Sequence, residues 1–530
     1  MKALLLSGAA CAALIAIPAQ AQRSKSITPY IELAQTVDAD LTNNDVLTYS
    51  TIAAGVDANI HTTRTDVQVS YRYERRIAWN KDIGDNDVHS GLARANVRVA
   101  PGVSIEGGAL AVRTRNDIRG AAPINLAADN DNISQVYSVY AGPTVATNAG
   151  PVQLNAAYRY GYTKVETPGA TLVAPGAPKL DTFDIEQSHV VTASAGVKAG
   201  EVLPVGVTVS GAYERDTQNQ LRQRYEGKYA RGDVVLPVTR TLAVRAGAGY
   251  ENIKVTQKDA LLDAAGNVVT DRNGRFVTNE ASPRRIAYET DGLIYDAGVI
   301  WRPSPRTLLT ANVGRRYGGT IYTGSFSYAP TRSVSLQIGV YDGVTTFGRQ
   351  LQDGIGRLPT TFITQRDAFG QQFGGCTFST GNSAGGCLNG ALQSISTSAY
   401  RARGVDAILS ASRGPISYGV GAGYANRRFY APEGEGFTVD GVEDDSYYAQ
   451  AYVGLTLDPV SSINADIIAN YYKSGIVGSR GIYSEGATVS YYRSFGRLGA
   501  SATAGLYNFS QQGLRDQTSA QGQVGMRYSF

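Results

Sequence analysis

Apolar and polar residues alternate with a period of two along much of this chain. At its end, apolar Val524, Met526, Tyr528 and Phe530 are separated by small or polar residues. The same alternation recurs most clearly in residues 65–73, 152–160, 333–338 and 461–467. A period of two places successive side chains on opposite faces of a β-strand. The pattern therefore predicts an all-β protein whose strands have one apolar and one polar face.

The connections between these segments alternate between short and long. Short turns rich in Pro and Gly recur, as at residues 100–102 and 458–459. Long polar stretches lie between them, at residues 80–87, 116–131, 167–187, 257–291, 349–396 and 431–445. Outer-membrane barrels have short periplasmic turns and longer extracellular loops. We therefore predict a transmembrane antiparallel up-and-down β-barrel of about 22 strands, within a range of about 18–22, with polar faces toward the lumen.

Composition favours the membrane barrel over a soluble sandwich with the same periodicity. The chain has 60 Gly and 33 Tyr, and 18% of its residues are charged. Soluble domains carry roughly 25% charged residues. Tyr suits the aromatic girdles of such barrels, because its ring can be buried while its hydroxyl meets water. The net charge of +4 over 530 residues is too small to indicate a nucleic-acid partner.

The amino-terminal residues have the form of a secretory signal peptide. Lys2 precedes an apolar run at residues 3–17, and small residues follow at Ala19 and Ala21. This run is too short and wrongly flanked for a membrane helix. We predict a signal peptide at residues 1–21, a β-barrel domain at residues 22–530, and a location in the outer membrane of a Gram-negative bacterium.

Two cysteines remain after the predicted cleavage, Cys376 and Cys387, both in the longest loop. Because the chain is exported to an oxidising compartment, we predict that they form a disulfide. Closing so short a loop stabilises the fold by roughly 2–3 kcal/mol in the chain-entropy model. The loop, residues 349–396, either folds into the lumen as a constriction or points outward, and the sequence leaves both open.

Residues 263–270 and 271–278 form a tandem repeat of the pattern Asp-x-x-Gly-x-x-Val-Thr. Asp followed three residues later by Gly suits a type I turn. We interpret the repeat as two hairpin turns. A calcium-binding loop is disfavoured, because the repeat lacks dense alternating carboxylates.

Arginines dominate the charged positions on the predicted polar faces. We predict that these arginines line the pore: Arg72, Arg76, Arg94, Arg98, Arg159, Arg245 and Arg316. Rings of Arg bias a pore toward anions. In the alternative, the arginines pair with acidic residues such as Glu74 and Glu106 as structural ladders. The sequence leaves both open.

We expect no enzymatic activity and neither a metal nor a cofactor. His61, His89 and His189 are isolated from one another and lack metal-ligand spacing. Residues 381–385 match the Gly-x-Ser-x-Gly pattern of a nucleophile elbow, which requires a strand-to-helix turn. They lie in a Gly- and Ser-rich loop without a helix signal, so a chance match is the better interpretation.

The final strand resembles the closing strand of bacterial outer-membrane barrels. The resemblance implies that Val524, Met526, Tyr528 and Phe530 form the signal read by the barrel-assembly machinery. The mature chain resembles the uncharacterised outer-membrane β-barrel family of α-proteobacteria, of the porin type. This second resemblance is strongest at residues 47–50, 70–79 and 89–95.

The family has no well-defined substrate, so the resemblance implies location and fold more than function. We predict a porin-like outer-membrane channel for small hydrophilic solutes, and the excess of arginines on the polar faces indicates a preference for anions. The alternatives are a barrel associated with exopolysaccharide export, since some relatives accompany polysaccharide-export loci, and a non-conducting structural barrel or adhesin. The expected partners are outer-membrane lipid and lipopolysaccharide, the barrel-assembly machinery, periplasmic chaperones and, for the export alternative, polysaccharide-export components.

Overall fold

A computed structural model gives the structure of this protein. It describes residues 24–79, 86–116, 132–167, 181–366, 369, 373–379, 383–433, 439–513 and 515–530. The predicted signal peptide, residues 1–21, lies outside the described residues.

Strands account for most of the described chain. In chain order they are β1 Ser24–Asp40, β2 Asp45–His61, β3 Thr65–Ala78, β4 Asn86–Ala100, β5 Val103–Arg115, β6 Ile133–Ala149, β7 Val152–Glu166, β8 Ile185–Val197, β9 Gly206–Gln218, β10 Arg224–Pro237, β11 Leu242–Gln257, β12 Arg285–Ser304, β13 Thr307–Arg316, β14 Gly319–Thr331, β15 Val334–Thr345, β16 Ile363–Arg366, β17 Phe373–Phe378, β18 Gly385–Cys387, β19 Tyr400–Arg413, β20 Ile416–Phe429, β21 Glu443–Asp458, β22 Ser461–Ser474, β23 Ile482–Phe495, β24 Leu498–Gln511 and β25 Gln517–Ser529.

All strands except β16–β18 belong to one antiparallel sheet of 22 strands, in which each strand pairs with its sequence neighbours. The sheet closes on itself because β1 pairs with β25, from Tyr30 opposite Ser529 to Asp40 opposite Ser519. A closed sheet has no unpaired edge. The predicted up-and-down barrel and its strand number are therefore confirmed.

The two faces of the barrel differ as the alternation predicted. On β9, Val209 is 61% exposed, whereas the next residue, Ser210, is 7% exposed. Large apolar side chains are exposed around the outer surface, such as Leu293 and Val524. In hydrocarbon every backbone polar group needs a partner within the protein, and a closed barrel supplies one for each. The protein is an outer-membrane β-barrel.

The connection between β15 and β19, residues 346–399, folds back into the barrel and is called the luminal loop here. It contains helix α1, Phe347–Arg357, and the small sheet β16–β18. Helix α1 contacts the inner face of β5–β8, and the small sheet contacts β19 and β20. Of the two orientations left open by the sequence, the inward one is thus confirmed for the described part of the loop.

None of the helices in the described part of the chain is long and apolar enough to cross a bilayer.

The lumen wall is apolar where α1 packs against it, so the expectation of a polar lumen is wrong there. Leu110, Val136 and Val165 of the wall are buried in one cluster with Leu351 and Ile355 of the helix. An amphipathic helix needs an apolar partner surface, and β4–β7 supply it on their inner face.

The loop between β11 and β12, residues 258–284, lies at the long-loop end of the barrel and is called the rim loop here. Its tandem repeat forms two turns. Asp263 Oδ1 accepts hydrogen bonds from backbone N–H groups two and four residues later, and Asp271 does the same. Gly266 and Gly274 have φ of 82° and 76°, which Gly adopts without strain. The turn interpretation of the repeat is confirmed.

Candidate functional site

Helix α1 begins on a carboxyl group of the barrel wall. Glu186 of β8 is fully buried and accepts hydrogen bonds from the backbone N–H groups of Gly348 and Arg349, each at 3.1 Å. The hydroxyl of Thr346 also donates to Glu186, at 2.5 Å. The first turn of a helix has free N–H groups and a positive dipole end, which an acidic group satisfies. The wall thereby fixes the start of α1.

Arg349 anchors the same turn to β9 and β10. Its guanidinium lies 2.7 Å from a carboxylate oxygen of Glu214 and 3.2 Å from one of Asp216. It also lies over the ring of Tyr225, 4.0 Å from the centroid. Removing one member of a buried ion pair typically costs about 3–5 kcal/mol. This cluster therefore holds the luminal loop firmly against the wall.

Further polar contacts follow along the helix to its carboxyl end. Asp353 lies 2.8 Å from Arg159 of β7, and Gln352 accepts a hydrogen bond from Ser188 of β8 at 2.5 Å. Arg94 of β4 donates to the backbone carbonyls of Gly356 and Leu358 at 3.2 and 3.1 Å. Cations stabilise the carboxyl end of a helix, where carbonyl groups are free. Both ends of α1 are therefore held by groups of complementary charge.

The small sheet is held on the other side of the lumen by a disulfide. Cys376 and Cys387 are bridged and lie opposite each other on β17 and β18. A Cβ atom on Gly421 of β20 would lie 2.8 Å from the Cys376 sulfur and 2.9 Å from the Cys387 sulfur. The predicted disulfide is confirmed. It packs directly against Gly421, where any larger side chain would collide with the sulfur atoms.

A cavity of about 320 Å³ remains between the luminal loop and strands β13–β15 and β19. Its wall carries mainly hydroxyl, amide and glycine groups, and two opposite charges face it, Arg357 of α1 and Asp406 of β19. The hydroxyl of Thr323 is buried there without a hydrogen-bond partner in the described structure. The cavity lies at the lower end of the range of small-molecule sites, roughly 300–1,000 Å³. This narrow space, with apolar side chains such as Ile338 and Ile408 beside the polar groups, is the candidate functional site.

Most of the arginines predicted to line the pore are in ion pairs on the inner face. The pairs and their N···O distances are Arg72–Glu32 2.9 Å, Arg72–Glu74 3.0 Å, Arg76–Glu74 2.6 Å, Arg159–Glu106 3.0 Å, Arg245–Asp233 2.8 Å and Arg316–Glu251 2.5 Å. Arg94 donates a hydrogen bond to the backbone carbonyl of Leu358 in the luminal loop, and Arg98 is exposed on β4. None of the seven borders the cavity. These contacts favour the structural-ladder alternative, whereas a role in selectivity stays a prediction.

The residues predicted to form the assembly signal lie on the outer face of β25. Val524, Met526, Tyr528 and Phe530 are all exposed there. The rings of Tyr528 and Phe530 are in contact, with centroids 5.2 Å apart. Their recognition by an assembly machinery stays a prediction.

Sequence reasoning missed the residues that hold the luminal loop, above all Arg349, Glu186 and Asp216. One signal for the helix was present. Phe347, Leu351 and Ile355 recur at intervals of four, which predicts one apolar helical face. Nothing in the sequence indicated which wall strands would receive that face, because the partners lie more than a hundred residues away.

The histidines and the Gly-x-Ser-x-Gly match take no part in this site. His89 contacts Tyr71, and His189 contacts Tyr158. Among the described side chains, no group of three His, Cys, Asp or Glu residues is arranged to hold a metal ion. Gly381 and Asn382 of the match lie outside the described residues, and strand β18 begins at its last residue, Gly385, where a nucleophile elbow would need a helix.

No protein-family model matches this sequence. No curated protein matches it either. The resemblance to the α-proteobacterial family therefore stays a prediction.

Several solved structures are similar to this chain over most of its length. The FrpB iron transporter of Neisseria meningitidis (F5-1 variant) is 10% identical, with 94% of this chain and 82% of that chain covered and a TM-score of 0.43. The ferric-catecholate import receptor Fiu of E. coli K12 is 9% identical, with 94% and 81% covered and a TM-score of 0.44. At these scores the likeness carries no argument, and the fold assignment rests on the strand pairing of this chain.

Proposed function

We propose that this protein is an outer-membrane channel in which small hydrophilic solutes pass between the luminal loop and strands β13–β15. The cavity between these elements carries the proposal. Its hydroxyl and amide groups can replace the hydrogen bonds that a polar solute loses when it leaves bulk water. Its small volume restricts passage to solutes no larger than a small sugar or amino acid. A barrel of this width without such a loop would have an open aqueous lumen.

Charge selectivity is expected to be weak and to depend on Arg357 and Asp406. These residues border the cavity, whereas the arginines predicted to line the pore, apart from the exposed Arg98, are held in ion pairs or in contacts with the luminal loop. A charge influences permeation only near the narrow passage, since salt screens it within about 8 Å at physiological ionic strength. We therefore propose passage of neutral or zwitterionic solutes in place of a strong preference for anions.

Single-channel recording in a planar bilayer tests the proposal. Asn312 of β13 borders the cavity, and its neighbour Val313 points outward and is 49% exposed. Asn312→Trp should lower the conductance and the uptake of neutral sugars into proteoliposomes. The matched outward variant, Val313→Trp, should leave both unchanged. A wild-type barrel without conductance would instead support a structural barrel or adhesin.

Reversal potentials in a salt gradient distinguish the two accounts of the arginines. On our proposal, Asp406→Asn shifts the reversal potential toward anions and Arg357→Gln shifts it toward cations. If the predicted anion pore is correct instead, wild type prefers chloride strongly, and the double variant Arg94→Gln with Arg98→Gln removes that preference. Passage of long anionic oligosaccharides through the wild-type channel would favour the polymer-export alternative.

A further inference from the structure

The outer surface of β9 and β10 carries basic side chains near the long-loop end of the barrel. On β9, Glu214 and Asp216 contact the luminal Arg349, so Arg215 between them points to the outside. On β10, Tyr225 also packs on Arg349, so Arg224 before it points outward. Arg215 and Arg224 are therefore on the surface that faces lipid.

Arg284, at the end of the rim loop, lies near these two arginines. It donates to the backbone carbonyl of Arg222 at 2.7 Å, and Arg222 lies in the turn between β9 and β10. Partial burial, followed by the positive charges of Arg224, Arg215 and Arg222, holds the pKa of Arg284 below its usual value. Arg284 also donates to the hydroxyl of Thr256 at 3.4 Å, and Thr256 lies opposite Arg224 in the sheet, so these guanidinium groups share one patch of positive charge. We call Arg215, Arg224 and Arg284 the basic cluster.

Nearby carboxylates are engaged with other basic residues. Glu280 pairs with Arg222 at 2.8 Å and with Lys258 at 3.0 Å. Glu226 lies opposite Arg215 in the sheet, but its ion pair is with Lys228, at 2.8 Å. Within the part of the chain that the structure describes, no member of the basic cluster takes part in an ion pair. The Nε group of Arg224 is buried and also lacks a hydrogen-bond partner there. The cluster therefore has donors and charge available for an anion.

The cluster lies just beyond a belt of outward aromatic side chains. Tyr213 is two residues before Arg215 on the same face of β9, and Tyr250 of β11 is 51% exposed. Outward Tyr residues mark the level at which hydrocarbon meets headgroups. Two residues along a strand place Arg215 about 7 Å beyond Tyr213, among the headgroups. An anionic group that contacts the outer surface of the barrel in the headgroup region belongs to a lipid.

We propose that the basic cluster binds a phosphate group of an outer-leaflet lipid, specifically the phosphorylated lipid A part of lipopolysaccharide. The planar guanidinium fork donates two parallel hydrogen bonds to phosphate oxygens, which Lys or neutral donors do not match. Because Arg284 belongs to the rim loop and Arg215 and Arg224 to the wall, one bound phosphate links the loop to the barrel. The site is independent of the proposed channel.

Native mass spectrometry of the purified barrel in detergent tests this site. The probes are bisphosphorylated lipid A, the same lipid without phosphates, and inorganic phosphate. Wild type should retain the phosphorylated lipid, and the triple variant Arg215→Gln, Arg224→Gln, Arg284→Gln should bind it more weakly by on the order of 100-fold, at about 1 kcal/mol for each basic residue. Heat-modifiable migration confirms that each variant is folded, and the single variant Arg215→Gln provides the test if the triple variant is not.

Arg403→Gln is the matched control. Arg403 also points outward near the long-loop end, but its guanidinium lies 3.8 Å from Glu443 and donates to Asn426. It should bind the phosphorylated lipid like wild type. Equal retention of the dephosphorylated lipid by wild type, or equal binding of inorganic phosphate, would overturn the proposal. So would an unchanged affinity in the folded triple variant.

Discussion

The buried carboxyl group of Glu186 accepts a hydrogen bond from the backbone N–H of Gly348 at 3.1 Å, across the boundary between barrel wall and luminal loop. Glu186 faces inward from β8, whereas Gly348 lies in the first turn of α1. The contact joins segments more than 150 residues apart in the chain. It sets where the helix starts and therefore which space in the lumen stays open.

Replacing Glu186 with Ala should release the first turn of α1. Two buried N–H groups would lose their acceptor, at a cost of about 1–3 kcal/mol for each. Hydrogen exchange of the amides in residues 347–357 should become faster, and single-channel conductance should rise. The control is Glu166→Ala, since Glu166 is exposed at the end of β7 and its contacts there, an ion pair with Lys164 and a hydrogen bond with Tyr137, do not involve α1. Equal exchange rates in the two variants would contradict the anchoring role.

Replacing Gly421 with Ala should push the disulfide away from the wall. Its new methyl group would lie less than 3 Å from both sulfur atoms, and overpacking of this kind typically costs about 1–3 kcal/mol. The bridge of the folded protein should then be reduced faster by a phosphine. Gly232→Ala is the control, because nothing lies within 4 Å of a Cβ atom on this outward glycine. Equal reduction rates would mean that the bridge does not depend on the wall.

The attachment of the rim loop should depend on pH through Asp181. Asp181 lies in the loop between β7 and β8 and accepts a hydrogen bond from the backbone N–H of Phe276 at 2.9 Å. Burial raises the pKa of this carboxyl group from 3.8 to about 7, against the lowering effect of its hydrogen bonds and of Arg275. A raised pKa means that the attached state binds the proton more tightly than the detached state. The stabilisation is therefore complete below about pH 4 and is lost as the pH rises through about 7.

A spin label at an introduced Ala264→Cys measures this dependence, because Ala264 is exposed in the rim loop and the two cysteines in the described part of the chain, Cys376 and Cys387, are bridged. The label should be less mobile at pH 5 than at pH 8. Asp181→Asn keeps an acceptor for Phe276 and cannot ionise, so the label should be equally immobile at both pH values. A pH response that persists in Asp181→Asn would assign the effect to another group.

Strand β25 should be required for insertion because it closes the ring. Tyr528 lies opposite Ile31 of β1, and the backbone N–H of Phe530 donates to the carbonyl of Pro29 at 3.0 Å. We expect the double variant Tyr528→Ala with Phe530→Ala to accumulate as unfolded protein. Heat-modifiable migration of outer-membrane fractions measures the folded barrel. Arg493→Ala, on the nearby strand β23, provides a control that leaves the closing pair intact.

The barrel was predictable because its rule is local. Alternation as in residues 65–73 defines a strand, and each strand of this sheet pairs with its sequence neighbours, so order along the chain gives order in the ring. The disulfide was predictable for a similar reason, since Cys376 and Cys387 lie close together in one loop and in an oxidising compartment.

The interior was less predictable because it depends on contacts between distant segments. Arg94 and Arg159 were correctly placed on inner faces by parity, but their partners in α1 were not evident from sequence. Polarity alone does not show whether an inward arginine meets water or a carboxylate. That choice depends on the path of the luminal loop through the lumen.

The pairing of β1 with β25 has a consequence for how the molecule folds. Strands β1 and β25 each lack one neighbouring strand until they pair with each other. This pairing brings Tyr30 opposite Ser529, although almost the whole chain separates the two residues. Contacts so remote in sequence make folding slow. Until they form, the incomplete barrel has two edge strands with unpaired backbone groups, which can pair with other chains and cause aggregation. The polypeptide must therefore stay unaggregated until both of its outermost strands are present together.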